Sequence, residues 1–141
     1  MDNINNSNRI NMDDIMQASL GEVSNKLDVT FKKTVLVRDY ETEVIEATTS
    51  LDLEHPVSGV ERMFIAAILE IQMEYTVYCT LAAKGMVTAS KLKERKQALE
   101  EGLYAIKYKA DIILGQGVID KYIKDNLGKW ETLYVSRASV R

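Results

Sequence analysis

One segment of the sequence, residues 60–82, restricts the possible folds more than any other. Its apolar side chains recur at the spacing of an α-helix, and they form two separate stripes on that helix. The first stripe comprises Val60, Phe64, Ala67, Ile68, Ile71, Tyr75, Tyr78, Cys79 and Ala82, and the second comprises Ile65, Leu69, Met73, Val77 and Leu81. Glu70 and Glu74 mark the narrow charged strip that remains. A helix with so little polar surface is expected to be buried from more than one direction.

A second long helix is predicted to begin after Thr88, whose hydroxyl suits the N-cap position. Apolar and charged residues segregate to opposite faces of this helix, so it is amphipathic. Its apolar face comprises Leu92, Leu99, Gly102, Leu103, Ile106, Ala110, Ile113 and Leu114. Gly85 and Gly115 stand where the two helices are expected to end. The connection at Met86 and Val87 is short, which predicts an antiparallel helical hairpin.

The residues before the first long helix have the composition of β-strands. Apolar and polar residues alternate over 29–38, and residues 43–53 are rich in Val, Ile and Thr. These stretches predict two antiparallel strands joined by a polar loop over 38–42. That loop has no Asn-Gly or Asp-Gly pair, so a tight two-residue turn is not expected. Pro56 is expected to close the strand region.

The remaining segments are short. Residues 1–11 hold five Asn and are predicted to be a flexible tail, and residues 12–20 are predicted to form a short helix capped by Asn11. Residues 118–127 are predicted to form a third, short helix that ends at Gly128. Residues 130–135 have strand character, and Trp130 there suits either packing on the core or an interface.

Together these elements predict an α+β fold in a single domain, residues 12–141. An antiparallel β-hairpin, with a third strand if residues 130–135 pair with it, packs on a long antiparallel helical hairpin with short flanking helices. A chain of 141 residues is long enough to bury such a core without disulfides or metal.

The second apolar stripe of the first long helix also predicts self-association. One hairpin and one amphipathic helix offer limited cover for two stripes, and symmetric dimers are the commonest way to cover an exposed apolar face. The prediction is a homo-oligomer, most simply a dimer, with Ile65, Leu69, Met73 and Val77 at or near the interface.

The supply of catalytic side chains is small, because the chain has one His and one Cys. His55 lacks a positioned partner, and Cys79 lies in an apolar stripe rather than the positive environment of a reactive thiolate. Glu70 and Glu74 have the spacing of metal-binding carboxylates but lack the His of such sites. Gly115 and Gly117 follow a helix, unlike the glycines of a phosphate-binding loop. The protein is therefore predicted not to be an enzyme and to hold no cofactor or metal.

Charge is distributed unevenly along the chain. The net charge is −7 over residues 1–87 and +4 over residues 88–141. Basic residues cluster at 91–96, and Tyr104 and Tyr108 lie among later lysines. A solvated face, a contact with an acidic protein surface and a site for nucleic acid are three explanations of this cluster. A single-stranded nucleic-acid site would use Arg38, Tyr40, Lys91, Lys93, Arg95 and Lys96.

The leading functional prediction is a non-catalytic binding or adaptor protein that acts through protein contacts, with itself and with a protein partner. A single-stranded nucleic-acid-binding accessory protein is the alternative. The Asn-rich start and the hairpin-plus-helix body resemble short proteins of phages and mobile elements. No secretory signal or membrane span is recognised, and a lone Cys suits a reducing compartment, so a cytoplasmic location is expected.

Overall fold

A computed structural model describes residues 10–19, 24–38, 40–57 and 59–139. The described elements are α1 (Met12–Ser19), β1 (Ser24–Arg38), β2 (Glu41–Val57), α2 (Gly59–Ala83), α3 (Ala89–Ile113) and α4 (Asp120–Ser139). The predicted α+β class is confirmed, since a two-stranded antiparallel sheet packs against helices. Most of the predicted tail, Gly21 and Ser58 lie outside the described residues.

The N-terminal caps form as their sequences predict. The backbone N–H of Asp14 donates to Asn11 Oδ1 at 2.9 Å, and the N–H of Asn11 donates back to Asp14 Oδ2 at 3.2 Å. Thr88 Oγ1 accepts from the N–H of Lys91 at 3.1 Å. Each cap satisfies N–H groups that have no partner within the first helical turn.

The β-hairpin is longer and its turn is tighter than predicted. β1 ends at Arg38 and β2 begins at Glu41, so the connection has two residues. Tyr40 adopts a φ of 63°, a left-handed conformation usually given to Gly or Asn. β2 also continues past Pro56 to Val57. The strand register shifts between the pairs Lys26↔Asp52 and Ser24↔Val57, so β2 has extra residues at this point, and Pro56 lies in this irregular part of the sheet.

The central helix α2 is covered on both of its apolar sides. Its first stripe lies in a core with Leu99, Leu103 and Ile106 of α3, with Ile123 of α4, and with Ile119 just before α4. Its second stripe lies beneath the hairpin in two smaller clusters. Ile65 and Leu69 contact Leu27, Leu53 and Val57, whereas Val77 and Leu81 contact Ile45. The prediction that α2 is buried from more than one direction is therefore confirmed.

The burial of α2 also bears on membrane insertion. Among the described helices, α2 alone is long and apolar enough to cross a bilayer, but 67% of its most apolar window is buried inside the protein. These contacts are those of the core helix of a soluble protein.

The C-terminal region differs from its prediction. α4 starts at Asp120, continues through Gly128 and includes the residues expected to form a strand, so the sheet of the described chain has two strands. Trp130 explains the difference, because it is 1% exposed and its ring lies 4.7 Å from that of Tyr75. Packing of this large side chain on α2 outweighs the weak helix propensity of a single Gly. Val118, the predicted start of the short helix, instead precedes α4 and is 42% exposed.

Candidate functional site

The four residues predicted at a subunit interface lie inside a single chain. Ile65 and Val77 are completely buried, and Leu69 and Met73 are at most 6% exposed. The hairpin of the same chain provides most of this cover. The sequence argument that placed these residues at an interface therefore does not hold, because it assumed that one chain could not cover both stripes. The oligomeric state itself stays a prediction.

A different apolar surface is exposed on α3. Tyr104, Tyr108 and Ile112 are spaced by four residues and therefore lie along one face of the helix. They are 55%, 72% and 69% exposed, which is unusual for large apolar side chains in a row. We call Tyr104, Tyr108 and Ile112 the α3 stripe. Ile113, at the end of α3, and Val118, in the turn that follows, are 38% and 42% exposed.

The sequence contains a signal for the α3 stripe that the sequence analysis did not use. Three large apolar residues at i, i+4 and i+8 lie on the side of α3 opposite to Leu92, Leu99 and Leu103, where only polar residues are expected.

The tip of the hairpin and the start of α3 lie at the same end of the molecule. Lys84, which follows α2, contacts Glu43 near the tip, with 2.9 Å between Nζ and Oε1. Met86 and Val87, in the turn before α3, pack on the same cluster as Phe31, Val35 and Ile45. The structure thus places near one another two segments that are far apart in sequence.

Most residues of the predicted nucleic-acid site are found at this end. Tyr40 is fully exposed at the hairpin tip, and Lys91 and Lys93 are exposed within the first two turns of α3. Lys96 is half-buried, and the side chain of Arg38 lies outside the described residues. We call Tyr40, Lys91 and Lys93 the tip cluster.

Arg95 has a structural partner and is not a freely available cation. Its Nε donates to Glu74 Oε2 at 3.0 Å, and its Nη2 contacts the same oxygen. The Glu74 side chain is only 5% exposed, so Arg95 neutralises a buried carboxylate. The guanidinium carbon of Arg95 also lies 5.3 Å from the centre of the Tyr78 ring. Lys33 Nζ lies 5.6 Å from the centre of the same ring. Arg95 therefore joins α3 to α2.

The corner between α3 and α4 has its own charge network. Lys107 Nζ lies 2.7 Å from Asp111 Oδ2 and 2.9 Å from Asp120 Oδ1. These two hydrogen bonds raise the pKa of Lys107 above its ordinary value, and the bond to Asp111 contributes most. The hydrogen bond from Lys107, and then that from the backbone N–H of Gly117 at 3.0 Å, hold the pKa of Asp111 below its ordinary value. The network fixes the turn in place.

The side chains considered for catalysis are dispersed. Cys79 is buried on α2, and His55 lies in β2 with a side chain outside the described residues. Glu74 pairs with Arg95, whereas Glu70 is half-buried on the same helix. Within the described ranges, no three His, Cys, Asp or Glu side chains are grouped closely enough to hold a metal ion.

No family model, no curated protein and no solved structure matches the chain. The resemblance to short phage and mobile-element proteins therefore stays a prediction, and the function must be proposed from the surfaces of the molecule.

Proposed function

We propose that the protein is a non-catalytic binding protein that acts as a homodimer and that the α3 stripe forms the dimer contact. The observation that supports this proposal is the row of exposed side chains Tyr104, Tyr108 and Ile112. Tyrosine and other large apolar residues are enriched where protein interfaces contribute most to affinity. The scarcity of catalytic side chains is the reason for a binding role rather than an enzymatic one.

The spacing of the stripe favours a second copy of this chain as the occupant. A twofold interface requires a surface that is complementary to itself. We place the twofold axis of two antiparallel α3 helices at Tyr108. Tyr104 of one copy then lies opposite Ile112 of the other, because each is four residues from Tyr108. Tyr108 then packs against its own counterpart. Every large apolar side chain of the stripe thereby gains an apolar partner.

Sedimentation equilibrium at micromolar concentration tests the dimer. We expect the wild-type mass to be that of two chains. Tyr108→Glu places two carboxylates at the axis, so this variant is expected to be a folded monomer. Lys93→Glu, an exposed change near the other end of α3, is the matched control and should remain dimeric. A monomeric wild-type protein, or a Tyr108→Glu variant that still dimerises, contradicts the proposal.

We propose a cytoplasmic location for this dimer. The low cysteine content, one Cys in 141 residues, is the supporting observation, since proteins of oxidising compartments more often contain disulfides. Fractionation of the native host with an antibody should recover the protein in the soluble cytosolic fraction, whereas recovery from the exterior would contradict this location.

Single-stranded nucleic acid is a second candidate ligand, and the tip cluster is the observation that favours it. Tyr40 presents an exposed ring on which a base can stack, and Lys91 and Lys93 are exposed cations at the same end of the molecule. Glu41 and Glu94 are exposed nearby in sequence and reduce the net positive charge. This site would accept a strand of a few nucleotides without base specificity.

Binding of a fluorescent oligothymidine at several salt concentrations tests this candidate. The Lys91→Glu, Lys93→Glu double variant should weaken binding and lower the slope of log affinity against log salt by about 1.4, at about 0.7 for each phosphate contact. Lys26→Glu, at the opposite end of the hairpin, is the control. Absence of binding at low salt, or equal slopes for the double variant and the wild type, excludes the tip cluster as a nucleic-acid site.

A further inference from the structure

An open cleft of about 490 Å³ lies between β2, α2 and α4. Leu51 of β2, Leu69 of α2 and Tyr122 of α4 provide its apolar walls. Two amides, Gln72 and Asn126, also line it, and Lys124, Asp125 and Lys129 lie at its exposed rim. A mostly apolar cleft of this size with a few polar groups is typical of a site for a small molecule.

The two amide side chains have carbonyl oxygens without a hydrogen-bond donor. Asn126 is 2% exposed, and its Nδ2 donates to the backbone carbonyl of Ile68 at 2.6 Å. This bond fixes the orientation of the amide and leaves Oδ1 as the atom without a partner. Gln72 is 7% exposed, and its Oε1 likewise has no donor. An unsatisfied buried acceptor costs about 1–3 kcal/mol. Both oxygens are buried, and both belong to residues that line the cleft, which favours a ligand that supplies N–H or O–H groups when it enters.

Gly128 provides a second, independent observation. It lies within α4 and lines the cleft, and a Cβ added there would meet nothing within 4 Å. Glycine in a helix interior lowers stability by about 0.5–1 kcal/mol relative to alanine. No packing contact requires glycine here, and the missing side chain leaves this part of the cleft open.

We propose that the cleft binds a small amphiphilic molecule with an apolar ring or chain, an N–H or O–H donor and an anionic group. The apolar part packs against Leu51, Leu69 and Tyr122. The donor reaches the carbonyl oxygens of Gln72 and Asn126, which requires the side chains that cover them to shift. Lys124 and Lys129 attract the anionic group at the rim, where Asp125 partly offsets their charge. This site is separate from the α3 stripe and does not depend on dimerisation.

Anilinonaphthalene sulfonate is a suitable probe, because it combines an aromatic body, one N–H donor and one sulfonate. Its fluorescence increases when it leaves water for an apolar site. We expect saturable binding with one equivalent per chain. Trp130, one helical turn after Asn126, is the sole tryptophan and should transfer excitation to the bound probe. A probe that binds without saturation, or without quenching of Trp130, contradicts the proposal.

Two variants locate the probe. Gly128→Leu fills the open part of the cleft, and we expect it to weaken binding at least tenfold. Lys124→Glu combined with Lys129→Glu changes only exposed side chains, so the fold should persist while binding of the sulfonate weakens several-fold. Tyr108→Ser on the α3 stripe is the control and should bind as the wild type does. Circular dichroism confirms that each variant is folded. Unchanged affinity in the lysine double variant, or a loss in the Tyr108→Ser control, overturns the proposal.

Discussion

At the scale of single residues, the ion pair of Glu74 and Arg95 joins α3 to α2. Glu74 is 4% exposed and is the one charged side chain among the buried residues of α2. Arg95 reaches across from α3 and neutralises it. The sequence assigns Glu74 to the narrow charged strip of α2, but its distance of 21 residues from Arg95 along the chain gives no local signal of the pair. Only the antiparallel arrangement of the two helices brings the two side chains together.

Removal of Arg95 should be more damaging than removal of the whole pair. Arg95→Met leaves the Glu74 carboxylate buried without a cation, and we expect the free energy of unfolding to fall by about 3 kcal/mol. The double variant Glu74→Met, Arg95→Met should recover most of this loss, because no charge remains to be buried. Urea unfolding of both variants measures the difference. Equal losses in both would mean that the carboxylate is not buried as the structure has it.

Trp130 is the residue that turns the C-terminal segment into a helix. Trp130→Ala should lower the free energy of unfolding by about 3–5 kcal/mol, because it leaves a cavity against Tyr75. Trp130→Phe retains an aromatic contact and should cost less. Chemical denaturation followed by circular dichroism tests both. A loss below about 1 kcal/mol for Trp130→Ala would indicate that α4 does not dock on α2 through this side chain.

At the scale of elements, the two stripes of α2 show what the sequence can predict. Helical spacing identified both stripes. Phe64, Ile68, Ile71 and Tyr75 of the first stripe lie in one cluster, whereas Ile65, Leu69, Val77 and Leu81 of the second lie in two others. The spacing could not show what covers each stripe, because that depends on the length and register of the hairpin. β1 and β2 extend over 15 and 17 residues, longer than the predicted strands, and this length lets one hairpin cover the second stripe.

The C-terminal helix shows why local signals were insufficient. Gly128 and the Val and Tyr residues after it favour a helix end and a strand, and those preferences are weak compared with the burial of Trp130. The cleft was also missed, because Gln72, Asn126 and Gly128 converge only through the packing of α4 on α2. A glutamine within the apolar surface of α2 was the available signal.

Substitution of Gly128 tests directly whether α4 continues as a helix through this residue. Gly128→Ala should raise the free energy of unfolding by about 0.5–1 kcal/mol, since alanine is the better helix former and its methyl group meets no neighbour. Gly85→Ala is the matched control. Gly85 has a φ of +76°, so alanine there should be destabilising. Thermal unfolding of the two variants should therefore give shifts of opposite sign.

The corner between α3 and α4 should make stability depend on pH at both extremes. In the folded protein the pKa of Asp111 is lowered from 3.8. Its ionised carboxylate therefore stabilises the fold fully above pH 3.8, and this stabilisation is lost as the pH falls through the lower folded-state pKa. The pKa of Lys107 is raised from 10.5, so its contribution is complete below pH 10.5 and is lost as the pH rises further. In Asp111→Asn, stability should fall less steeply with acidification below about pH 4 than in the wild type. Identical acid limbs would show that Asp111 is not stabilised by Lys107 and Gly117.

At the scale of the whole molecule, the structure moves the proposed self-association from α2 to α3. The helix with the most apolar residues is enclosed by its own chain, whereas the amphipathic helix exposes Tyr104, Tyr108 and Ile112. The proposed binding role therefore uses this exposed face of α3. The central claim is that two copies meet along antiparallel α3 helices with Tyr108 at the axis.

A disulfide cross-link tests this claim most directly. Helix axes about 8–10 Å apart place facing Cα atoms about 4–5 Å apart, within reach of a disulfide. With Cys79 replaced by Ala, Tyr108→Cys should form a covalent dimer under mild oxidation. Gln97→Cys, on the same face but roughly 33 Å from its counterpart at about 1.5 Å per residue, should stay monomeric on a non-reducing gel. Equal cross-linking of the two variants, or none at Tyr108→Cys, would contradict an interface centred on the α3 stripe.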